Sequence, residues 1–173
     1  MNAQVLVAYA SKYGATKEIA EKIGQVLKDA GFVAVVLPAD HVADLVPYQA
    51  VVLGSAVYIG GWRKQAARFL KANEKALAEK MVWLFSSGPT GQGDPIELVK
   101  GWRFPKALQH IADRVKPNDI VLFQGAAFPE KLSPIGRWMM KKVKAPLGDF
   151  RDWNAITIWA GKIAAKLKEI QEK

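Results

Sequence analysis

Residues 5–16, Val-Leu-Val-Ala-Tyr-Ala-Ser-Lys-Tyr-Gly-Ala-Thr, are an apolar run that breaks into a loop of small and hydroxylated residues at the head of an amphipathic helix. Val5 to Ala10 reads as a strand. Beyond the loop, Ile19, Ala20, Ile23, Val26, Leu27 and Ala30 recur at helical spacing on one face, and Gly31 marks the stop. A helix N-terminus presents unpaired backbone N–H groups and the positive end of the peptide dipoles, so this join is the outline of a site for a phosphate monoester. Ser11 and Thr16 supply hydroxyls, and Gly14 lets the backbone approach closely. No Asp or Glu precedes Glu18, whereas Lys12 and Lys17 add positive charge.

The pattern then repeats. Phe32 to Leu37 is a second strand, Pro38 to Pro47 a connection with a helical turn, and Ala50 to Ser55 a continuous buried strand of the kind parallel sheets require. Arg63 to Lys80 reads as helix, Met81 to Ser86 as a fourth strand, Pro105 to Val115 as helix, Asp119 to Ala126 as a fifth strand and Ile156 to Ile170 as a closing helix. Strands alternating with helices imply right-handed βαβ crossovers, hence an α/β three-layer sandwich: a five-stranded parallel sheet, order 2-1-3-4-5, with helices on both faces. In such sheets a ligand lies beyond the carboxyl ends of the strands, where connections diverge, here between the first and third. Three loops converge there: Ser11 to Thr16, Ser55 to Gly61, and Ser86 to Gly93. The 173 residues suit one domain, 1–173. Phe128 to Trp153 is too long for an ordinary connection and reads as an insertion before the last helix.

The second loop, Gly54-Ser55-Ala56-Val57-Tyr58-Ile59-Gly60-Gly61-Trp62, has no acid and sets two aromatics around a Gly pair. That suits a flat heteroaromatic ligand: Tyr58 or Trp62 can stack on a ring, and the backbone near Gly60 can turn a peptide toward a ring atom whose protonation changes on reduction. The third, Ser86-Ser87-Gly88-Pro89-Thr90-Gly91-Gln92-Gly93, offers backbone donors to polar ring edges.

Composition removes other chemistries. Without cysteine there is no disulfide, thiolate nucleophile or thiolate-held cluster, so redox work falls to a bound cofactor. His41 and His110 have no partner at metal-ligand spacing. Asp149 and Asp152, flanking Arg151, read as caps of the following helix. A phospho-receiver shares the five-strand order but needs acids after the first strand and an Asp after the third, where this chain has none and Ser55. No uncharged apolar run reaches about 18 residues and no signal peptide precedes the first strand, which makes the cytoplasm the expected compartment. A formal charge of +9 favours anionic partners, but no nucleic-acid-binding pattern is visible and none is expected to bind.

The first loop, Ser11-Lys12-Tyr13-Gly14-Ala15-Thr16, resembles the (Ser/Thr)-x-Thr-Gly-x-Thr phosphate loop of the flavodoxin family, departing at Tyr13. The resemblance implies FMN as cofactor, with its phosphate held by Ser11, Lys12, Tyr13, Gly14, Ala15 and Thr16. It implies an isoalloxazine ring lined on one face by Ser55, Ala56, Val57, Tyr58, Ile59 and Gly60, and on its other side by Ser87, Gly88, Pro89, Thr90 and Gly91. The runs Val51 to Trp62 and Gly148-Asp149-Phe150-Arg151-Asp152-Trp153 are similar to flavodoxin-domain proteins related to menaquinone-dependent protoporphyrinogen dehydrogenase. That likeness implies an FMN-dependent oxidoreductase acting on a porphyrinogen, with a quinone as electron acceptor and no catalytic protein side chain. The alternative is a flavodoxin-type electron carrier serving a redox partner, with no organic substrate of its own.

Within the insertion, Pro134-Ile135-Gly136-Arg137-Trp138-Met139-Met140-Lys141-Lys142-Val143-Lys144 joins apolar and basic residues. Such a helix can settle peripherally at the inner face of a membrane, grip an acidic porphyrin, or pack one face on the domain.

Overall fold

The computed structural model describes residues 4–172. Strand β1 (Gln4–Ala10) leads into helix α1 (Ala15–Asp29), then β2 (Val33–Pro38), a short 3-10 turn at Ala39–His41, and β3 (Ala50–Tyr58). A two-residue β4 (Gly61–Trp62) follows, then α2 (Lys64–Ala72), α3 (Glu74–Ala78), β5 (Met81–Ser87), α4 (Pro95–Leu98), α5 (Lys106–Val115) and β6 (Asp119–Phe123). The chain ends through β7 (Ala126–Ala127), a 3-10 turn at Pro129–Lys131, α6 (Pro134–Lys142), β8 (Gly148–Asp149) and α7 (Trp153–Gln171). None of the described helices is long and apolar enough to cross a membrane.

The five long strands are parallel in the order β2-β1-β3-β5-β6, the doubly wound order expected. The sheet nonetheless has six strands, because β4 folds back antiparallel on the end of β3, pairing Val57 with Trp62 and Tyr58 with Gly61. Side chains alternate across the sheet, so Val5 and Val7 meet Ile19, Ile23, Phe85, Ile156 and Trp159 on one side. Leu6 and Ala8 meet Leu53, Leu70, Leu84 and Phe104 on the other. Gly54 carries no side chain because the Phe85 ring fills the space where its Cβ would stand.

Two expected elements are broken. Arg63 to Lys80 is two helices, since Asn73 turns its side chain back to donate from Nδ2 to the Phe69 carbonyl at 2.9 Å, while Leu77 N–H restarts the helix on the Asn73 carbonyl at 2.8 Å. Asp119 to Ala126 is not one strand. β6 ends at Phe123 because the third loop binds the residues that follow: the Gly125 backbone N–H donates to the Pro89 carbonyl (2.9 Å) and the Gln124 side-chain Nε2 to the Gly91 carbonyl (2.6 Å). β7 then leaves the sheet and pairs antiparallel with β8, Ala126 with Asp149 and Ala127 with Gly148. This ribbon is the neck of the insertion, which thereby returns to the point in the fold it left.

Candidate cofactor site

A cavity of about 570 Å3 opens beyond the carboxyl ends of β1, β3 and β5, within the range of cofactor pockets. All three loops reach it. Its walls include Ser11, Lys12, Tyr13, Ala15 and Thr16 from the first, Ala56, Val57, Tyr58, Ile59 and Gly60 from the second, and Ser87, Gly88, Pro89 and Thr90 from the third. Three expected residues stand just behind the wall. Gly14 precedes α1 with φ +94° and donates its N–H to Ser11 Oγ at 3.0 Å. Ser55 is fully buried, its hydroxyl donating to the Ala56 carbonyl and accepting from Arg63 N–H, so it shapes the second loop from beneath. Gly91 is buried with its carbonyl taken by Gln124. Ser11 and Gly14 also border a second cavity of about 310 Å3, where Lys17 and Asp40 face the other side of the loop.

The phosphate end is built from what α1 lacks. The first intrahelical bond is Glu18 N–H to the Gly14 carbonyl (3.1 Å), and because Gly14 has no side chain to cap the amides that precede it, those of the first turn are left to a ligand. Thr16 is 2 % exposed and lies against the cavity. At the other end Thr90 Oγ1 is buried with no hydrogen-bond partner in the protein. A buried hydroxyl without a partner is costly, and a bound polar ring edge relieves that cost. The donors and the small residues around them therefore fit a phosphorylated flavin.

The second loop is a tight hairpin whose two turn residues, Ile59 (φ 51°) and Gly60 (φ 69°), both take positive φ, as a type I′ turn demands. Tyr58 lines the cavity, but Trp62 does not: it is 9 % exposed, its Nε1 donates to Ser86 Oγ at 2.8 Å, and it meets Phe104 edge to face. Trp62 is thus a core packing residue, and of the two aromatics that could stack on a ring only Tyr58 faces the cavity. The indole on the cavity belongs to Trp102, whose Nε1 lies 3.9 Å from where a Cβ on Gly60 would stand.

Lys12 joins the loops, its Nζ 5.1 Å from the Tyr13 ring centroid and 5.6 Å from that of Tyr58. The Tyr13 hydroxyl is held below its ordinary pKa by the hydrogen bond with Ser133, which outweighs burial, with Lys12 adding to the effect. Burial pushes the Tyr58 hydroxyl up, Tyr13 adds to that, and Arg63 opposes it.

Sequence reasoning missed the remaining wall. Leu132, Ile135, Gly136, Met139, Met140, Val143 and Ala145 come from the insertion, and Val99 and Trp102 from the segment after α4. Asp94-Pro95 was a legible helix start: Asp94 Oδ1 accepts from Ile96 N–H at 2.7 Å. The insertion's apolar residues carried helical spacing but no sign of which surface they face. Asp152 does cap α7, accepting from Ala155 N–H at 2.9 Å, whereas Asp149 pairs with Arg151.

Comparison with known proteins agrees with this geometry. The family model Flavodoxin_5, described as a flavodoxin domain, matches residues 6–154. No curated protein sequence matches. The rubredoxin oxygen:oxidoreductase of Desulfovibrio gigas superposes with a TM-score of 0.65 at 14 % identity, covering 96 % of this chain, which spans only 36 % of that longer one. A single-substitution mutant of the flavodoxin from Pseudomonas aeruginosa gives 0.58 at 15 % identity, covering 95 % of this chain and 99 % of its own. Oxidised flavodoxin 2 from Bacillus cereus gives 0.53 at 26 % identity over 72 % of this chain and 86 % of its own. Taken with the open helix start, the hairpin beside it and the unpartnered Thr90 hydroxyl, the match over most of the sequence means that the chain belongs to the flavodoxin-domain family and binds FMN.

Proposed function

We propose that the protein is an FMN-dependent oxidoreductase with an organic substrate of its own, a porphyrinogen, whose hydrogen is passed to a quinone. The observation that carries this reading is α6. A carrier that only exchanges electrons with another protein needs its flavin edge open, whereas here Leu132, Met139, Met140 and Val143 of the insertion line the same cavity as Tyr58 and Trp102. That chamber suits a flat apolar ring system. Between Lys131 and Gly148 there is no acid, and Lys131, Arg137, Lys141, Lys142 and Lys144 supply positive charge for propionate-like carboxylates. Bound FMN supplies the redox chemistry. Ser11 to Thr16 hold its phosphate, Ser55 to Gly60 and Ser87 to Gly91 orient the ring, and the insertion excludes water from the substrate.

The outer side of the insertion fits a quinone's location. Trp138 and Leu147, which do not line the cavity, are exposed beside the basic residues, a combination suited to peripheral contact with an anionic membrane face. In an anaerobic test, protoporphyrinogen bleaches the flavin absorbance of the holoprotein and a menaquinone analogue restores it. Failure at both steps returns the protein to the class of electron carriers. Sedimentation with anionic vesicles, absent with neutral ones, checks the membrane contact.

A further inference from the structure

The insertion covers the cavity but is lightly held, since none of the residues of α6 is buried. Where it meets the first loop, the Tyr13 hydroxyl stands 3.3 Å from Ser133 Oγ. Ser133 is also the cap of α6, its Oγ accepting from Gly136 N–H at 3.0 Å. Gly136 lies inside the helix, where glycine is the poorest choice short of proline. Its reason is spatial: a Cβ there would stand 2.9 Å from the Tyr13 hydroxyl and 3.2 Å from Ser133 Oγ. The chain thus keeps a large ring in the phosphate loop, a hydroxyl at the helix cap and a gap in the helix, all at one point of contact. Lys12, lying over both Tyr13 and Tyr58, continues the file of side chains to the opposite wall. At 3.3 Å the contact is about 0.5 Å longer than a relaxed pair of hydroxyls, so a small movement of the loop strengthens it.

We propose that Tyr13 is the catch of this cover: occupation of the phosphate loop seats Tyr13 against Ser133 and closes α6 over the cavity, so that cofactor loading and closure are one linked equilibrium. The proposal rests on FMN binding and not on the identity of the substrate. Linkage is reciprocal, so a protein without the catch also binds FMN more weakly.

Trypsin reads the state of the cover, because Arg137, Lys141, Lys142 and Lys144 lie on exposed parts of it. The full-length protein is digested with and without saturating FMN, and cleavage at 137–144 is normalised to cleavage in α7. FMN is expected to slow the normalised cleavage of wild type at least about fivefold, the lower end of ordinary coupling. In Tyr13→Phe, which keeps the ring and removes the hydroxyl, saturating FMN should slow it less than about twofold, the loss expected of one hydrogen bond. Gly136→Ala gives the opposite sign to simple helix propensity: alanine favours the helix, but its methyl displaces the Tyr13 hydroxyl, so cleavage of the FMN-loaded variant should be faster than in wild type. Absence of FMN protection in wild type, equal protection of Tyr13→Phe, or unchanged or slower cleavage in Gly136→Ala each overturns the proposal.

Discussion

Arg151, at the far end of the insertion, donates from its guanidinium to the main-chain carbonyl of Ala15 at 3.2 Å, in the first turn of the cofactor helix. Its side chain is 5 % exposed, bonded also to Glu18 and, through Nε and Nη2, to Asp149 at 2.9 and 2.7 Å. Burial alone lowers the pKa of such a group, but the bonds to Asp149 and Glu18 outweigh it, and the guanidinium stays charged. Its planar fork also lies over the Trp153 ring at 4.6 Å. Arg151→Met should therefore destabilise the fold by about 2 kcal/mol, with Arg151→Lys a poor substitute because an ammonium lacks the fork. Thermal unfolding of the two variants measures both effects, and a melting temperature equal to wild type in Arg151→Met contradicts the role assigned to this bond set.

The same group sets an acid limit. Asp149 is held below its ordinary pKa first by its side-chain bond with Arg151, against the opposing effect of burial. A carboxyl whose native pKa lies below its unfolded value of about 4 stabilises the fold fully above that pH, and loses the contribution as pH falls through the native value. Glu74, lowered by Arg114, acts in the same direction. The melting temperature should fall as pH drops below about 4, and fall less steeply in Arg151→Met, where only the Glu74 contribution remains. Identical slopes for the two proteins would remove Asp149 from the account.

Thr16 is buried at the phosphate end, so Thr16→Asp places a carboxylate beside the ligand's own negative charge. At about 4 Å and an effective dielectric near 20, the repulsion is about 4 kcal/mol, which weakens FMN by roughly a thousandfold as an upper figure. Riboflavin, which has no phosphate, should lose far less. Titration of flavin fluorescence with both ligands measures the difference, and equal losses argue against a phosphate anchor here.

Gly54 and Phe85 exclude one another. A Cβ at position 54 would overlap the fully buried Phe85 ring, so Gly54→Ala should cost about 3 kcal/mol, at the upper end for overpacking. Gly54→Ala combined with Phe85→Leu should recover part of the loss, because the second change vacates the space the first one needs. Denaturant unfolding of the single and double variants tests this, and strict additivity counts against it.

Ile59 is a β-branched residue at φ 51°, 90 % exposed at the tip of its hairpin. Asn is the favoured occupant of that position in a type I′ turn. Ile59→Asn should stabilise the protein by about 1 kcal/mol, raising the melting temperature by about 2–4 °C. On the proposed reading the apolar tip at the cavity rim also meets the substrate, so in the same variant protoporphyrinogen should bleach the flavin absorbance more slowly than in wild type.

The long parallel strands were legible because each is an uninterrupted apolar run, and their order followed from the helices between them. The hairpin strand β4 was not, since Gly61 and Trp62 are too few to show a period of two. Trp62 and Trp102 carry the same indole near glycines, and only tertiary contact separates them: one finds Ser86 in the core, the other stands at the cavity. Tyr13 was legible only as a departure from a motif. Its purpose lies at Ser133, which is 120 residues away along the chain. The Leu132, Met139 and Met140 wall was hidden for a similar reason: helical spacing gives an apolar face but not the direction in which it points.

A Cβ on Gly125 would lie 3.0 Å from the Gly88 carbonyl oxygen, so the backbones of two loops touch there with nothing between them. Gly88 in turn has room for no more than a tight fit beside Val57. The floor of the chamber is accordingly a mated pair of surfaces belonging to segments far apart in sequence. A side chain at position 125 therefore requires the backbone at 88 to give way, so the two loops can change only together.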